Sequence, residues 1–177
     1  MKAIVAVDKN WGIGREKKLL VHLPGDLRYF KEKTLGKIVV MGRETLETLP
    51  GKRPLPARRN IVLTRDTHYK GECPLCHSTE ELMELIKGEK GEDLFIIGGE
   101  KVYREFLPYC DTCYVTKIEA SYEADKFFPN LDEDDDFSQV WESENFEENG
   151  TRYKFVEYRR KQQLDSWKKS SDGSAEK

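Results

Sequence analysis

The chain reads as one α/β domain built on a largely parallel sheet, and three features predict this. Short runs rich in β-branched residues alternate with amphipathic helical runs, the β-rich runs are continuously apolar, and glycines stand where strand passes into helix. "AIVAV" at 3–7 opens the series as a strand. The next apolar periodicity, Leu27, Phe30 and Thr34, has helical spacing and begins at Asp26. "KIVVMG" at 37–42 is a strand, "ETLETL" a short helix and "NIVLT" at 60–64 a strand. "STEELMELIKG" at 78–88 is a helix capped by Ser78 and ended by glycine. "LFIIGG" is a buried strand, "EKVYREFL" a helix and "TCYVTKI" a further strand. After residue 120 the pattern changes: "FSQVWESENF" and "TRYKFVEYRR", joined across "EENG", read as an antiparallel hairpin closing the sheet. The acidic run at 132–136 reads as a solvated loop. Residues 161–177 are polar and Ser-rich, a flexible extension with no role in the fold.

At 177 residues and 37% hydrophobic content the chain suits a single core. A net charge of −3 from 30 basic and 33 acidic residues gives no general pull toward nucleic acid or anionic lipid, so any anion must be gripped locally. The first ten residues are too short in apolar content for a signal peptide and no later run approaches a membrane span, so a cytoplasmic location with reduced thiols is expected. The cysteines nevertheless form two C-x-x-C pairs, "CPLC" at Cys73 and Cys76 and "CDTC" at Cys110 and Cys113. That is zinc-ribbon spacing, but the interval between the pairs holds a complete helix and strand pattern. The thiols therefore read as small apolar side chains at strand ends, with no metal. His68 and His77 flank the first pair, yet Cys76 and His77 are adjacent and would face opposite sides of a strand.

Three strand ends suit an anion, and open parallel sheets bind ligands beyond the carboxyl ends of their strands. In "FIIGGEKVYREF" a buried strand enters Gly98 and Gly99 and then a helix, so bare backbone can approach a ligand beside unpaired N–H groups. In "VVMGRETLETL" Gly42 ends a strand while Arg43 and Thr45 open a helix, and in "VLTRD" Thr64 and Arg65 follow Leu63 at a third strand end. Three such places on one sheet suggest a dinucleotide carrying an extra ribose phosphate, which would use the surplus arginines. The usual fingerprint is missing. "GIGREKK" lacks the third glycine and is not followed by a helix, so it reads as a mobile loop and a Rossmann domain proper is disfavoured.

Asp26 poses a separate problem, because it opens a helix one turn before Phe30 and shares that apolar flank. A buried carboxylate survives only where a helix N-terminus, a partner charge or a ligand's donors compensate it.

Taken together, "DKNWGIG", "LPGDLRYFKEKTLGK", "VVMGRETLETL", "RPLPARRNIVLTR", "FIIGGEKVYREFLP", "YVTKI" and "ADKFFP" resemble the dihydrofolate reductase family, in order and spacing, over residues 1–160. The resemblance implies a single-domain fold with an eight-stranded, mixed but mostly parallel sheet, flanking helices and a C-terminal antiparallel hairpin. It implies reduction of 7,8-dihydrofolate to tetrahydrofolate with NADPH as cofactor, inhibition by diaminopyrimidine or pteridine antifolates, and a role in one-carbon metabolism. Asp26 would be the catalytic carboxylate of the pterin pocket, desolvated by Leu27, Phe30, Leu49 and Ile97 and accepting two hydrogen bonds from the ligand. The proton for N5 would come through water, steered by that carboxylate.

By the same correspondence Ile4, Val5 and Ala6 wall the substrate site, Leu55 and Thr116 complete it, and Arg58 clamps the α-carboxylate of the glutamate tail. On the cofactor side, Gly98, Gly99, Lys101, Val102 and Tyr103 resemble the pyrophosphate and nicotinamide contacts. Arg43, Thr64 and Arg65 resemble the group around the adenosine 2′-phosphate, and Gly42, Thr45 and Leu63 are further cofactor contacts. Ile13, Gly14 and Leu19 belong to the loop that closes over the nicotinamide, and Ala6 is a further cofactor contact. One departure stands out: Val21 occupies a position where the family usually has tryptophan, which helps order a water beside the carboxylate. A neighbouring group or a second water, with Thr116 as a candidate participant, is expected to substitute. No nucleic acid and no membrane partner is expected, and the working unit is expected to be a monomer. Alternatives are a same-fold NADPH-dependent pyrimidine reductase of flavin biosynthesis, against which Asp26, Phe30 and Arg58 speak, a non-catalytic NADPH or folate binder, and a zinc-ribbon nucleic-acid module.

Overall fold

The computed structural model describes residues 1–161. The tail assigned to 161–177 therefore lies, beyond Lys161, outside the described residues. The strands are β1 (Lys2–Val7), β2 (Gly12–Arg15), β3 (Lys18–Leu19), β4 (Ile38–Gly42), β5 (Arg59–Leu63), β6 (Leu75–Cys76), β7 (Leu94–Gly98), β8 (Thr112–Ile118), β9 (Lys126–Phe127), β10 (Phe137–Glu142), β11 (Phe146–Glu148) and β12 (Thr151–Arg160). Four α-helices, α1 (Pro24–Thr34), α2 (Arg43–Thr48), α3 (Thr79–Leu85) and α4 (Glu100–Phe106), fall between them.

The main sheet runs β10-β12-β8-β1-β7-β4-β5-β6, with β11 also pairing β12. Its β8-to-β6 portion is parallel and β12 is antiparallel to β8, β10 and β11, as a parallel core closed by a hairpin requires. The eight-stranded mixed sheet is thus present as the path, with β11 as a ninth member. None of the described helices is long and apolar enough to cross a membrane.

Strand periodicity divides the core between the two faces. Val40, Ile61, Ile96 and Val115 join Leu82, Phe106 and Phe128 on one face. Val39, Met41, Val62, Phe95 and Ile97 join Ile4, Leu46 and Tyr114 on the other. Continuous burial along β4 and β7 is what a sheet covered on both sides produces. Helix α1 lies on the second face: Phe30 packs against that cluster, and Tyr29 stacks on Phe155 of β12 with ring centroids 3.9 Å apart.

The mobile loop read at "GIGREKK" is corrected. Gly12–Arg15 and Lys18–Leu19 form β2 and β3, and β2 pairs with β9 in a separate three-stranded antiparallel sheet. Bare backbone permits this, since a Cβ on Gly14 would sit 2.9 Å from the Lys18 carbonyl oxygen. Asp125 closes the far side, its amide donating to the Gly14 carbonyl at 3.0 Å while its carboxylate accepts from Glu16 N at 2.9 Å. The acidic run is also more than solvated, because Asp132 pairs with Lys117 at 2.7 Å and accepts from the Tyr158 hydroxyl at 2.6 Å.

The two cysteine pairs lie at β6 and around the start of β8, with β5, β4, β7 and β1 between them. At about 4.8 Å per strand that is roughly 24 Å, so the pairs cannot share a tetrahedral metal. Among the described residues no group of three His, Cys, Asp or Glu could hold a metal ion.

Helix α3 offers a check on this packing. Leu82 is fully buried, and Ser78 caps the helix by accepting from Glu81 N at 3.1 Å. Leu82→Ala should cost about 3 kcal/mol and Ser78→Ala about 1 kcal/mol, measured by urea unfolding of the ligand-free protein.

Candidate functional site

The carboxyl ends of β5, β4 and β7 lie side by side because the strands are neighbours in nearly level register. Gly42 faces Leu63 across one pairing, and Met41 faces Gly98 across the other. The three anion-suited strand ends therefore converge on one edge. A cleft of about 830 Å³ opens there, walled by Gly42, Arg43, Thr45, Leu63, Thr64, Arg65, Gly98, Gly99, Lys101, Val102 and Tyr103. Ala6, Ile13, Gly14 and Leu19 complete its opposite side, so every residue assigned to the cofactor lines a single cavity.

Its floor is made of backbone. A Cβ on Gly42 would come within 3.2 Å of Val102 Cγ2, and one on Gly98 or Gly99 would come within 3.2 or 3.3 Å of Thr45 Oγ1. Gly98 also has φ +134°, in the region that favours glycine. The Gly98–Gly99 peptide is cis. Arg43 is held on three sides: Nε donates to Glu47 at 3.0 Å, Nη1 to Asp66 at 3.0 Å, and the guanidinium lies 4.3 Å from the Tyr69 ring centroid. Bare backbone beneath a cleft lined by Arg43, Arg65, Lys101 and Lys126 fits a dinucleotide phosphate chain plus a ribose phosphate.

Sequence reasoning missed part of this wall. Lys18, Lys126, His77, Ser78 and Thr79 also line the cleft, with His77 Nδ1 2.8 Å from the Thr64 carbonyl oxygen. A signal was available for the last three, because "CHSTEE" repeats the strand-then-capped-helix order of the other strand ends.

Only some of the residues assigned to the substrate belong to the wall of this cleft. Val5, Ala6 and Ile97 line it, whereas Ile4, Asp26, Leu27, Phe30, Leu49, Leu55, Arg58 and Thr116 do not. Ile4 is buried, with its carbonyl accepting from the Tyr103 hydroxyl at 2.7 Å. Leu49 and Leu55 pack, half-buried, with Phe30 against the cluster that contains Ile97. Leu27 departs from expectation. It is 40% exposed and joins no core cluster, because α1 turns Tyr29 and Phe30 toward the sheet instead.

Asp26 sits in the first turn of α1, half-buried, where Oδ1 accepts a 2.6 Å hydrogen bond from the buried Thr116 hydroxyl of β8. Burial lifts its carboxyl above the usual carboxylate range. The Thr116 bond opposes that shift and the charge of Glu148 adds to it. Val21 packs with Leu23, Ile118 and Tyr153 in a small apolar cluster, and so supplies packing but no donor. Arg58 is fixed from both ends. Nη1 donates to Thr34 Oγ1 at 3.2 Å and Nε to the Pro56 carbonyl at 2.9 Å. The turn before it is tied by Asn60, which accepts from Leu55 N and donates to the Leu55 and Arg58 carbonyls at 2.9 to 3.0 Å.

The family model for dihydrofolate reductase matches residues 1–160. The dihydrofolate reductase of Bacillus subtilis (strain 168) is 38% identical over 161 residues, covering 89% of this chain and 93% of its own. That of Neisseria meningitidis serogroup B is 37% identical over 158 residues, covering 89% and 96%. Among solved structures, dihydrofolate reductase from Enterococcus faecalis, complexed with NADP(H) and RAB-propyl, superposes with a TM-score of 0.80 at 37% identity, covering 90% of this chain and 95% of that one.

The lifted Asp26 carboxyl has a consequence for stability. The folded chain holds that proton more tightly than the unfolded chain, so its stabilisation is complete below the ordinary carboxylate pKa and is lost as pH rises through the lifted value. Asp26→Asn removes the buried charge and keeps an oxygen for Thr116. By calorimetry its Tm should match the parent at about pH 3 and exceed it at about pH 8.

Proposed function

The chain belongs to the dihydrofolate reductase family, and on that premise we infer how its residues divide the work of reducing 7,8-dihydrofolate to tetrahydrofolate with NADPH. The observation that carries the reading is the Asp26 carboxylate, held by Thr116 at the start of α1 beside a cleft floored with glycine backbone. NADPH supplies the hydride when bound. Gly42, Gly98 and Gly99 let main chain approach the pyrophosphate, and Thr45, Leu63, Lys101, Val102 and Tyr103 shape the rest of that channel. Arg43, Thr64 and Arg65 bind the ribose 2′-phosphate, and the hold of Glu47 and Asp66 on Arg43 supports this role, since little entropy is left to lose. Ile13, Gly14 and Leu19, with Ala6, cover the nicotinamide side and exclude water.

On the substrate side Asp26 accepts hydrogen bonds from the exocyclic amine and ring N–H of the pterin. These replace the solvation that burial withholds. Thr116 occupies one carboxylate oxygen, orienting the group and leaving the other for the ligand. The ionised carboxylate then favours a cationic pterin, and N5 takes its proton from water under that field. Ile4, Val5, Leu27, Phe30, Leu49, Leu55 and Ile97 form the apolar surround, and Arg58 binds the glutamate carboxylate. Diaminopyrimidine antifolates present the same paired donors and bind at Asp26. One chain carries both halves of the site, so the working unit is a monomer, and four unbridged cysteines accord with a cytoplasmic setting.

Asp26→Asn should fold, lose about 10²-fold or more in hydride transfer, lose most above neutral pH, and bind diaminopyrimidines weakly. Absorbance decay of NADPH across pH, with inhibitor titration, measures this. A variant with normal pH dependence and normal inhibitor affinity contradicts the assignment. Arg65→Ala should raise KM for NADPH by about tenfold while leaving NADH nearly unaffected, read by the same assay with either nucleotide.

A further inference from the structure

The helix that carries Asp26 begins without a cap of its own. Its N-cap residue is Leu23, whose side chain makes no capping bond, and Pro24 follows at the first helical position. The open amide of Gly25 is met from elsewhere in the chain. Glu148, at the end of β11, accepts from Gly25 N at 2.7 Å, and the Tyr153 hydroxyl of β12 donates to the same Oε1. The fit allows no side chain at Gly25, because an added Cβ would collide with both that oxygen and the Tyr153 hydroxyl. Two chain-distant residues thus converge on the peptide unit directly before Asp26.

We propose that Glu148 is a positioning residue for Asp26, capping its helix from the β11–β12 hairpin and setting the charge balance at the catalytic carboxylate. The proposal rests on Asp26 being the folate-facing carboxylate. Three kinds of observation support it. Glu148 is geometrically committed, with two donors on one oxygen. A carboxylate at a helix N-terminus is favoured by the helix's unpaired amides, so Glu148 stays ionised at little cost. Its own carboxyl is accordingly held below the usual range by Tyr153, by the Gly25 amide, and by Arg28 and His22. The charge so fixed disfavours ionisation of Asp26, in the same direction as burial.

The groups that bear on Asp26 come from every element around it. Thr116 of β8 donates to it, Glu148 of β11 opposes its ionisation, and Tyr29 of α1, Tyr103 of α4 and Tyr153 of β12 feel its charge and stay neutral, with Tyr153 pushed up to about 12. Around Glu148 itself stand Arg28 of α1 and His22 just before the helix. Glu148 is the one carboxylate among these that acts on Asp26 through charge, so its removal should move the titration of Asp26 toward acid.

The test compares the pH profile of hydride transfer, by stopped flow, in wild type, Glu148→Gln, Glu148→Ala, Glu148→Asp, Tyr153→Phe and Asp26→Asn. Glu148→Gln keeps an oxygen for Gly25 N and loses the charge, so the midpoint should fall to lower pH, and the rate above the midpoint should fall with it. Glu148→Ala should show the same acid shift and also faster hydrogen exchange at the Gly25 amide. Tyr153→Phe keeps the charge and should show no acid shift, and Glu148→Asp should restore the wild-type midpoint. A Glu148→Gln or Glu148→Ala protein with the wild-type midpoint, while Asp26→Asn alters the profile, overturns the proposal. Should Asp26→Asn itself leave rate and profile unchanged, the fault lies instead with the assignment of Asp26.

Discussion

Parallel pairing of β5, β4 and β7 in nearly level register is the constraint from which the site follows. Because Gly42 lies opposite Leu63 and Met41 opposite Gly98, three chain segments that are far apart in sequence end their strands on one line. Each end then releases its chain within reach of the same space. A slip of one residue in β4 would turn Val39 and Met41 to the face now held by Val40, and would carry Arg43 away from Asp66. The continuous burial of β4 and β7 therefore does two things at once, stabilising the sheet and aligning the strand ends that wall the cleft.

The other half of the site depends on a balance. Asp26 is costly where it stands, and the protein leaves that cost only partly offset. One hydroxyl, Thr116, donates to the carboxylate, while Glu148 and burial both work against its ionisation. A fully compensated carboxylate would bind a proton-donating heterocycle weakly, having already satisfied its acceptors. In the proposed role of Asp26, a group held short of satisfaction lets the substrate's own donors contribute binding energy at the reacting ring.

Much of this was legible in the sequence, and for identifiable reasons. Strands β1, β4, β5, β7 and β8 are buried on both faces, so their residues are uniformly apolar and easily read. The glycines at 42, 98 and 99 mark strand ends, and it is the recurrence of that signal at several strands, together with the family resemblance, that points to the cleft they line. What was illegible is long-range or short-stranded. β2 and β3 contain four and two residues, too few for any period, and the second partner of β2 is β9, far along the chain. Leu27 was placed by helical spacing on the apolar flank, but the arc that faces the sheet is set by the stacking of Tyr29 on Phe155, which no local pattern encodes. The tie between Gly25 and Glu148 is of the same kind.

The Asn60 carboxamide fastens the 55–58 turn through three hydrogen bonds, and this has a consequence for how the protein can vary. A stretch secured by one amide, instead of by a ladder of main-chain pairs, has a fixed span: adding or deleting a residue would unhook the carbonyls and let the guanidinium of Arg58 drift from Thr34. Side chains on the outside of that span are free to change, since none of the three bonds uses them. Tolerance to substitution and intolerance to length therefore coexist in the same few residues, and drift among relatives should respect the count here more strictly than the letters.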